Sequence, residues 1–278
     1  MTIGKISIYY PSPRRQRPRP ATTSCVAPPA TAAGVNADAA GHPSRSEDAT
    51  QRPRTEKIWI APSASVASRR PAKRSRGAFR GAMVNPRTRR EIVFESTLER
   101  DLAYILTTTP SVVDVRDQVG PVEYVDTDGV VRQHTLDFVA DLEDGTRTAF
   151  AVKPARRVGP SGIGRTLELI RDQRPGVADR FVVRTGDHIT RDRAVNARLL
   201  HRALRGRDEA HIADVKAVAS TLRGCVAIRE ILAASRDPGQ GFMAVACLIA
   251  DGVLEHVGPG RLSIDSFVRP RRTTGTNH

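Results

Sequence analysis

Three residues, Glu99, Asp137 and Lys153, have the types and the spacing to do chemistry together. Asp137 lies in the β-prone run 130–142 and Lys153 ends the run 147–153, and the two are separated by the turn signal Glu143-Asp-Gly145. Alternation along the first run puts Leu136, Phe138 and Ala140 on one face and Asp137, Val139 and Asp141 on the other. In the second run Phe150 and Val152 share a face, and Ala149, Ala151 and Lys153 share the opposite one. A turn centred near Asp144 sets residue 137 across from residue 151, with Lys153 as its diagonal neighbour. A carboxylate and an ammonium then share one face of a hairpin. Glu99, on a helix opened by Ser96-Thr-Leu-Glu99, can bring a second carboxylate to that face.

Two carboxylates and a backbone carbonyl make a hard-oxygen set suited to Mg²⁺, which takes few protein ligands and keeps several waters. A lysine beside them can orient an attacking water and stabilise charge developing on a phosphate. That is the equipment of a metal-dependent phosphodiesterase. Each residue also has a simpler role. Glu99 is the capping-box glutamate of its helix, and Glu95, four residues earlier, can be a solvated charge. Asp137 and Lys153 can be an ordinary cross-strand ion pair. His134 reads first as a strand residue near the sheet end, and only second as a metal ligand.

The elements that must position these residues begin near residue 90. The capping box opens a helix through about Thr107, with Leu98, Leu102 and Ile105 on one face, and Pro110 closes it. Short β-prone runs follow at 112–115 and 122–125, before Asp128-Gly129 and the two long runs. Beyond them come a helix over 165–174, a strand over 180–184 and a helix over 190–204. After Gly206, helical patterns at 212–222, 226–234 and 241–250 lead to β-prone runs at 253–257 and 261–268. Helices finished by a small hairpin predict a winged-helix-like domain over 206–278.

Charge is distributed unevenly. Residues 1–90 hold 18 Lys and Arg against four acids, which accounts for the whole formal excess of +14. They also carry 11 of the 19 prolines, so 1–88 reads as a disordered basic tail. Blocks such as Arg14-Arg-Gln-Arg-Pro-Arg19 suit nucleic-acid attraction by counterion release; a merely solubilising tail, or initiation at Met83, are the alternatives. Cys25, Cys225 and Cys247 form no metal spacing and cannot all pair, which excludes a disulfide-stapled scaffold. The longest apolar run, 242–250, is far short of a bilayer span, and a cytoplasmic protein without a membrane partner is expected.

The ordered set Phe94-Glu-Ser-Thr-Leu-Glu-Arg-Asp101, Val115-Arg-Asp-Gln118, Thr135-Leu-Asp-Phe138 and Phe150-Ala-Val-Lys-Pro154 resembles the TnsA-like transposon endonucleases of the PD-(D/E)xK nuclease superfamily. Phe181-Val-Val-Arg-Thr-Gly-Asp-His-Ile189 and Asn196-Ala-Arg-Leu-Leu200 resemble the segment that closes the family's nuclease domain. The resemblance covers residues 89–270 and implies an α/β fold: a restriction-endonuclease-like mixed sheet flanked by helices over 89–205, followed by the winged-helix-like domain. It implies that Glu99 and Asp137 bind Mg²⁺ or Mn²⁺ with the Val152 carbonyl, and that Lys153 is the catalytic lysine. Gln118 would lie near the site, supporting strand geometry or contacting DNA. The implied activity is cutting of double-stranded DNA at the 5′ ends of a mobile element, beside a DDE transposase and an ATPase regulator. One departure stands out: the family places Glu or Gln two residues before the lysine, and this chain has Ala151. The alternative is therefore a degenerate nuclease fold kept as a DNA-binding and partner-binding subunit.

Overall fold

The computed structural model describes residues 60–69 and 79–271. Order begins earlier than the charge pattern implies. Strand β1 (Gly81–Val84) pairs antiparallel with β2 (Glu91–Phe94), and together they bury Met83, Ile92 and Phe94. This corrects the reading of 1–88 as a disordered tail for residues 60–69 and 79–88; residues 1–59 and 70–78 lie outside the described set. The strand is hard to see in the sequence because it is four residues long and half Gly and Ala. Its glycine has a packing reason: a Cβ on Gly81 would lie 2.9 Å from the Phe94 ring.

Residues 60–69 form a strap along β2. Ser63 bridges Arg90, and Ser65 Oγ donates to Asp117 Oδ2 at 2.7 Å. Asp117 is fully buried, and the same oxygen accepts the Val93 N–H at 2.6 Å, so one carboxylate ties three segments. Asp117→Ala leaves both donors unpaired, and we expect it to cost about 2–4 kcal/mol in chemical denaturation. A cost below about 1 kcal/mol would show that the carboxylate is not the tie.

Helix α1 (Thr97–Thr108) starts where the capping box predicts, with Ser96 Oγ accepting the Glu99 N–H at 3.1 Å. It buries Leu102, Ala103 and Leu106. Strand β3 (Val112–Val125) runs through the interval expected to separate two short strands. It absorbs that interval as an irregularity, with register shifts between Val119 and Val122, Gln118 at φ +45° and Gly120 at φ +138°. A Cβ on Gly120 would lie 2.9 Å from the His134 carbonyl oxygen, so glycine is required there.

Strands β4 (Val131–Leu142), β5 (Arg147–Val152) and β6 (Arg180–Arg184) complete a four-stranded mixed sheet in the order β3-β4-β5-β6, with only β5 and β6 parallel. Helices α2 (Ala155–Ser161) and α3 (Ile163–Gln173) form the parallel crossover. The sequence reading lacks α2, which is short, exposed and broken by Pro160 and Gly162. One core lies between the sheet and α1, containing Phe138, Ala140, Phe150 and Val152. A second lies on the α3 side, containing Val139, Ala149, Ala151, Ile163 and Leu167. Leu136 joins the α3 side against simple alternation, just past the irregularity opposite it.

Helix α4 (Arg191–Arg205) packs on α1 and also sends Leu199, Leu200 and Ala203 into a third core. That core gathers α5 (Glu209–Ser220), α6 (Ile228–Ala234) and the apolar α7 (Pro238–Ala250). Strands β7 (Val226–Ala227), β8 (Leu254–Val257) and β9 (Phe267–Pro270) form an antiparallel sheet in the order β7-β9-β8. The Asn196 side chain on α4 bonds the Gly260 oxygen and the Leu262 N–H in the loop before β9, at 2.9 and 2.8 Å. The whole is a mixed α/β fold, and among the described residues no helix is long and apolar enough to cross a membrane.

Candidate active site

The β4–β5 hairpin holds the register that the turn at Asp144 predicts: Phe138 opposite Phe150 and Val139 opposite Ala149. One further step places Asp137 opposite Ala151. The paired ladder stops there, and the Asp137 carboxylate takes the next donor itself, accepting the Val152 N–H on Oδ2 at 2.6 Å. In an extended residue N–H and C=O point to the same edge, so the Val152 carbonyl is directed to the Asp137 side as well. The next N–H, of Lys153, donates to the Arg184 carbonyl at 3.0 Å on the β6 side, which fixes the backbone from which the lysine departs.

Glu99 is buried at 8% exposure and does fill the capping role. Its Oε1 accepts from Ser96 Oγ at 2.8 Å and its Oε2 from the Glu95 N–H at 2.7 Å. A carboxylate has about four acceptor sites, so capping does not exhaust it. Glu99 also stands close enough to act on Asp137. Burial first, and the Glu99 charge second, push the Asp137 carboxyl up to about 7. The Val152 N–H, Lys153 and Arg69 pull in the opposite direction.

Two carboxylates that repel each other in partly buried surroundings form a site that a cation relieves. Glu99 and Asp137, with the Val152 carbonyl, offer only oxygen, which fits Mg²⁺ or Mn²⁺. Among the described residues no group of three or more His, Cys, Asp and Glu is placed to hold a metal ion, so most of such an ion's shell would be water. Ala151 supplies no oxygen; it is 1% exposed, and its methyl packs in the α3-side core.

On the β3 side the register sets Gln118 across from Asp137, between Asp117 (opposite Phe138) and Val119 (opposite Leu136). Gln118 is 1% exposed, and its Nε2 has no hydrogen-bond partner. Positive φ in a buried non-glycine residue is uncommon and collects at functional sites. His134 is half-buried with an unpartnered Nε2, and burial, then the Lys153 charge, lower its pKa. Its nearness to Lys153 is the structural finding; among the described residues it belongs to no metal-ligand cluster.

The structure therefore brings Glu99, Asp137, Val152, Lys153 and Gln118 into one neighbourhood. Sequence reasoning missed the strap's contribution. Arg69 Nη2 donates to Glu95 Oε2 at 2.9 Å and to Gln118 Oε1 at 3.2 Å, so Glu95 is ion-paired instead of merely solvated. Residues 61–69 have neither apolar periodicity nor a cap that would have signalled their docking.

Comparison of the chain with protein-family models gives no match, and comparison with curated proteins gives none either.

Proposed function

We propose that this chain is a metal-dependent DNA endonuclease of the PD-(D/E)xK kind, resembling the TnsA-like transposon endonucleases and working beside a DDE transposase and an ATPase regulator in the cytoplasm. The observation that carries this reading is the Asp137 carboxylate held by the Val152 N–H at 2.6 Å, one residue before Lys153 and within reach of the Glu99 charge on α1. The mixed sheet flanked by helices agrees with a restriction-endonuclease-like domain. The order α5, β7, α6, α7, β8, β9 agrees with a winged-helix-like domain after it, suited to double-stranded DNA.

In this reading Glu99, Asp137 and the Val152 carbonyl hold Mg²⁺ or Mn²⁺. Bound there, the ion supplies an activated water and Lewis acidity at a phosphoryl oxygen. The Val152 N–H keeps Asp137 oriented, and the Ser96 and Glu95 bonds keep Glu99 from swinging away. Lys153 donates to the attacking water or to the phosphate, stabilising the charge that develops as the P–O bond breaks. The products are 5′-phosphate and 3′-hydroxyl ends.

Ala151 favours a second reading, a non-catalytic subunit that binds DNA and partner proteins. Nicking of supercoiled DNA in Mn²⁺ by wild type, Asp137→Ala and Ala151→Gln separates the two. The first reading predicts nicking by wild type that Asp137→Ala loses. Nicking only in Ala151→Gln would establish the second reading, and equal nicking by wild type and Asp137→Ala would remove the first. Because the Ala151 methyl is packed, Ala151→Gln should also lower unfolding stability by about 1–3 kcal/mol. An unchanged denaturation midpoint would mean that the position has open space.

A further inference from the structure

The strap residue Arg69 has more donors than its partners use. Among the described residues its two hydrogen bonds, to Glu95 and Gln118, both come from Nη2. A guanidinium carries five N–H groups in a fixed fork; Nε and Nη1 have no partner among the described residues, and the side chain is 56% exposed. The partner residue Glu95 is the more enclosed of the pair, at 22%. Glu95 is also the residue whose N–H binds Glu99, and Gln118 flanks Asp137 in the sheet. The guanidinium is thus anchored through Nη2 to both walls of the candidate site, and the rest of its fork meets no partner among the described residues. Its position is held by the strap, through Ser65 to Asp117 and through the Ser68 N–H and Oγ to the Gln118 carbonyl at 3.1 and 2.6 Å. A surface ion pair alone would need none of this anchoring, since it contributes little to stability. A planar cation with an unused edge beside a phosphodiesterase site matches a phosphate oxygen pair.

We infer that Arg69 forms a phosphate-binding subsite, contacting the backbone of the nucleic acid next to Glu99, Asp137 and Lys153. The inference rests on the proposed function and names a substrate-binding residue outside the segment 89–270 that carries the resemblance. It is tested by binding of a 30-base-pair duplex to the full chain in EDTA over a range of salt concentrations, so that cutting does not intervene. Arg69→Ala should weaken binding about 3- to 10-fold at low salt and reduce the magnitude of the log–log salt slope by about 0.9, the loss of one phosphate contact. Arg69→Lys should restore part of the affinity. Glu95→Gln removes the ion pair but leaves the guanidinium, so it should bind at least as well as wild type. Equal losses in Arg69→Ala and Glu95→Gln would show that Arg69 only ties down the strap and would overturn the subsite. Wild-type affinity and slope in Arg69→Ala would overturn it as well. Absence of salt-sensitive DNA binding by wild type would instead overturn the proposed function from which the inference starts.

Discussion

Asp137→Asn should make the metal-free protein more stable at neutral pH while abolishing metal-dependent DNA cutting. The Asp137 carboxyl titrates at about 7 in the folded chain against 3.8 for the ordinary group. Between those values the native state holds a proton that the unfolded chain has released, so this residue makes stability fall as pH rises from about 4 to 7. An amide carries no charge to desolvate and does not repel Glu99. Allowing for the water that reaches a half-buried side chain, the gain near neutral pH is roughly 1–3 kcal/mol. It should vanish below about pH 4, where both states hold the proton. Urea denaturation of wild type and variant at pH 4, 5.5 and 7 measures it directly. A variant that is less stable than wild type by the same amount at all three would show that the carboxylate serves only as a hydrogen-bond acceptor for Val152.

Lys153→Met is expected to reduce cutting by about 10²- to 10³-fold, the effect of removing one group that stabilises transition-state charge. Methionine keeps most of the stem's packing, and the backbone bond from residue 153 to the Arg184 carbonyl is retained, so the fold should be unaffected. The variant carries a second, activity-independent readout. The Lys153 charge is one of the two causes, after burial, that lower the pKa of His134. Its removal should move the His134 titration upward when followed by NMR. An unmoved titration would place the ammonium away from His134 and contradict the side-chain placement, and cutting within about 10-fold of wild type would deny it the catalytic role.

The parts of this site that local rules govern are legible in the sequence. A capping box fixes where α1 starts and hence where Glu99 sits, and a turn at Asp144 sets the hairpin register that puts Asp137 opposite Ala151. Such signals span only a few residues and compete with little else. The irregular stretch Gln118 to Pro121 was misleading for the opposite reason. Gly and Pro normally punctuate strands, yet β3 lies at the edge of its sheet, where a missing N–H is tolerated and pairing resumes at Val122. The strap was illegible altogether. Its contacts to Asp117 and Gln118 span about fifty residues of chain and are made by serines and one arginine, so no periodicity announces them. Arg69 therefore reads in the sequence as one more charge in a basic tail.

The claim on which the rest depends is that Glu99 and Asp137 form a cation site. Calorimetric titration of the full chain with Mn²⁺ at pH 7.5 tests it most directly, in wild type and Asp137→Asn. The account predicts one saturable Mn²⁺ per chain in wild type and loss of at least about tenfold in affinity in Asp137→Asn, a difference of about 1.4 kcal/mol or more. Equal Mn²⁺ binding by the two proteins, or no saturable binding by wild type, would contradict it.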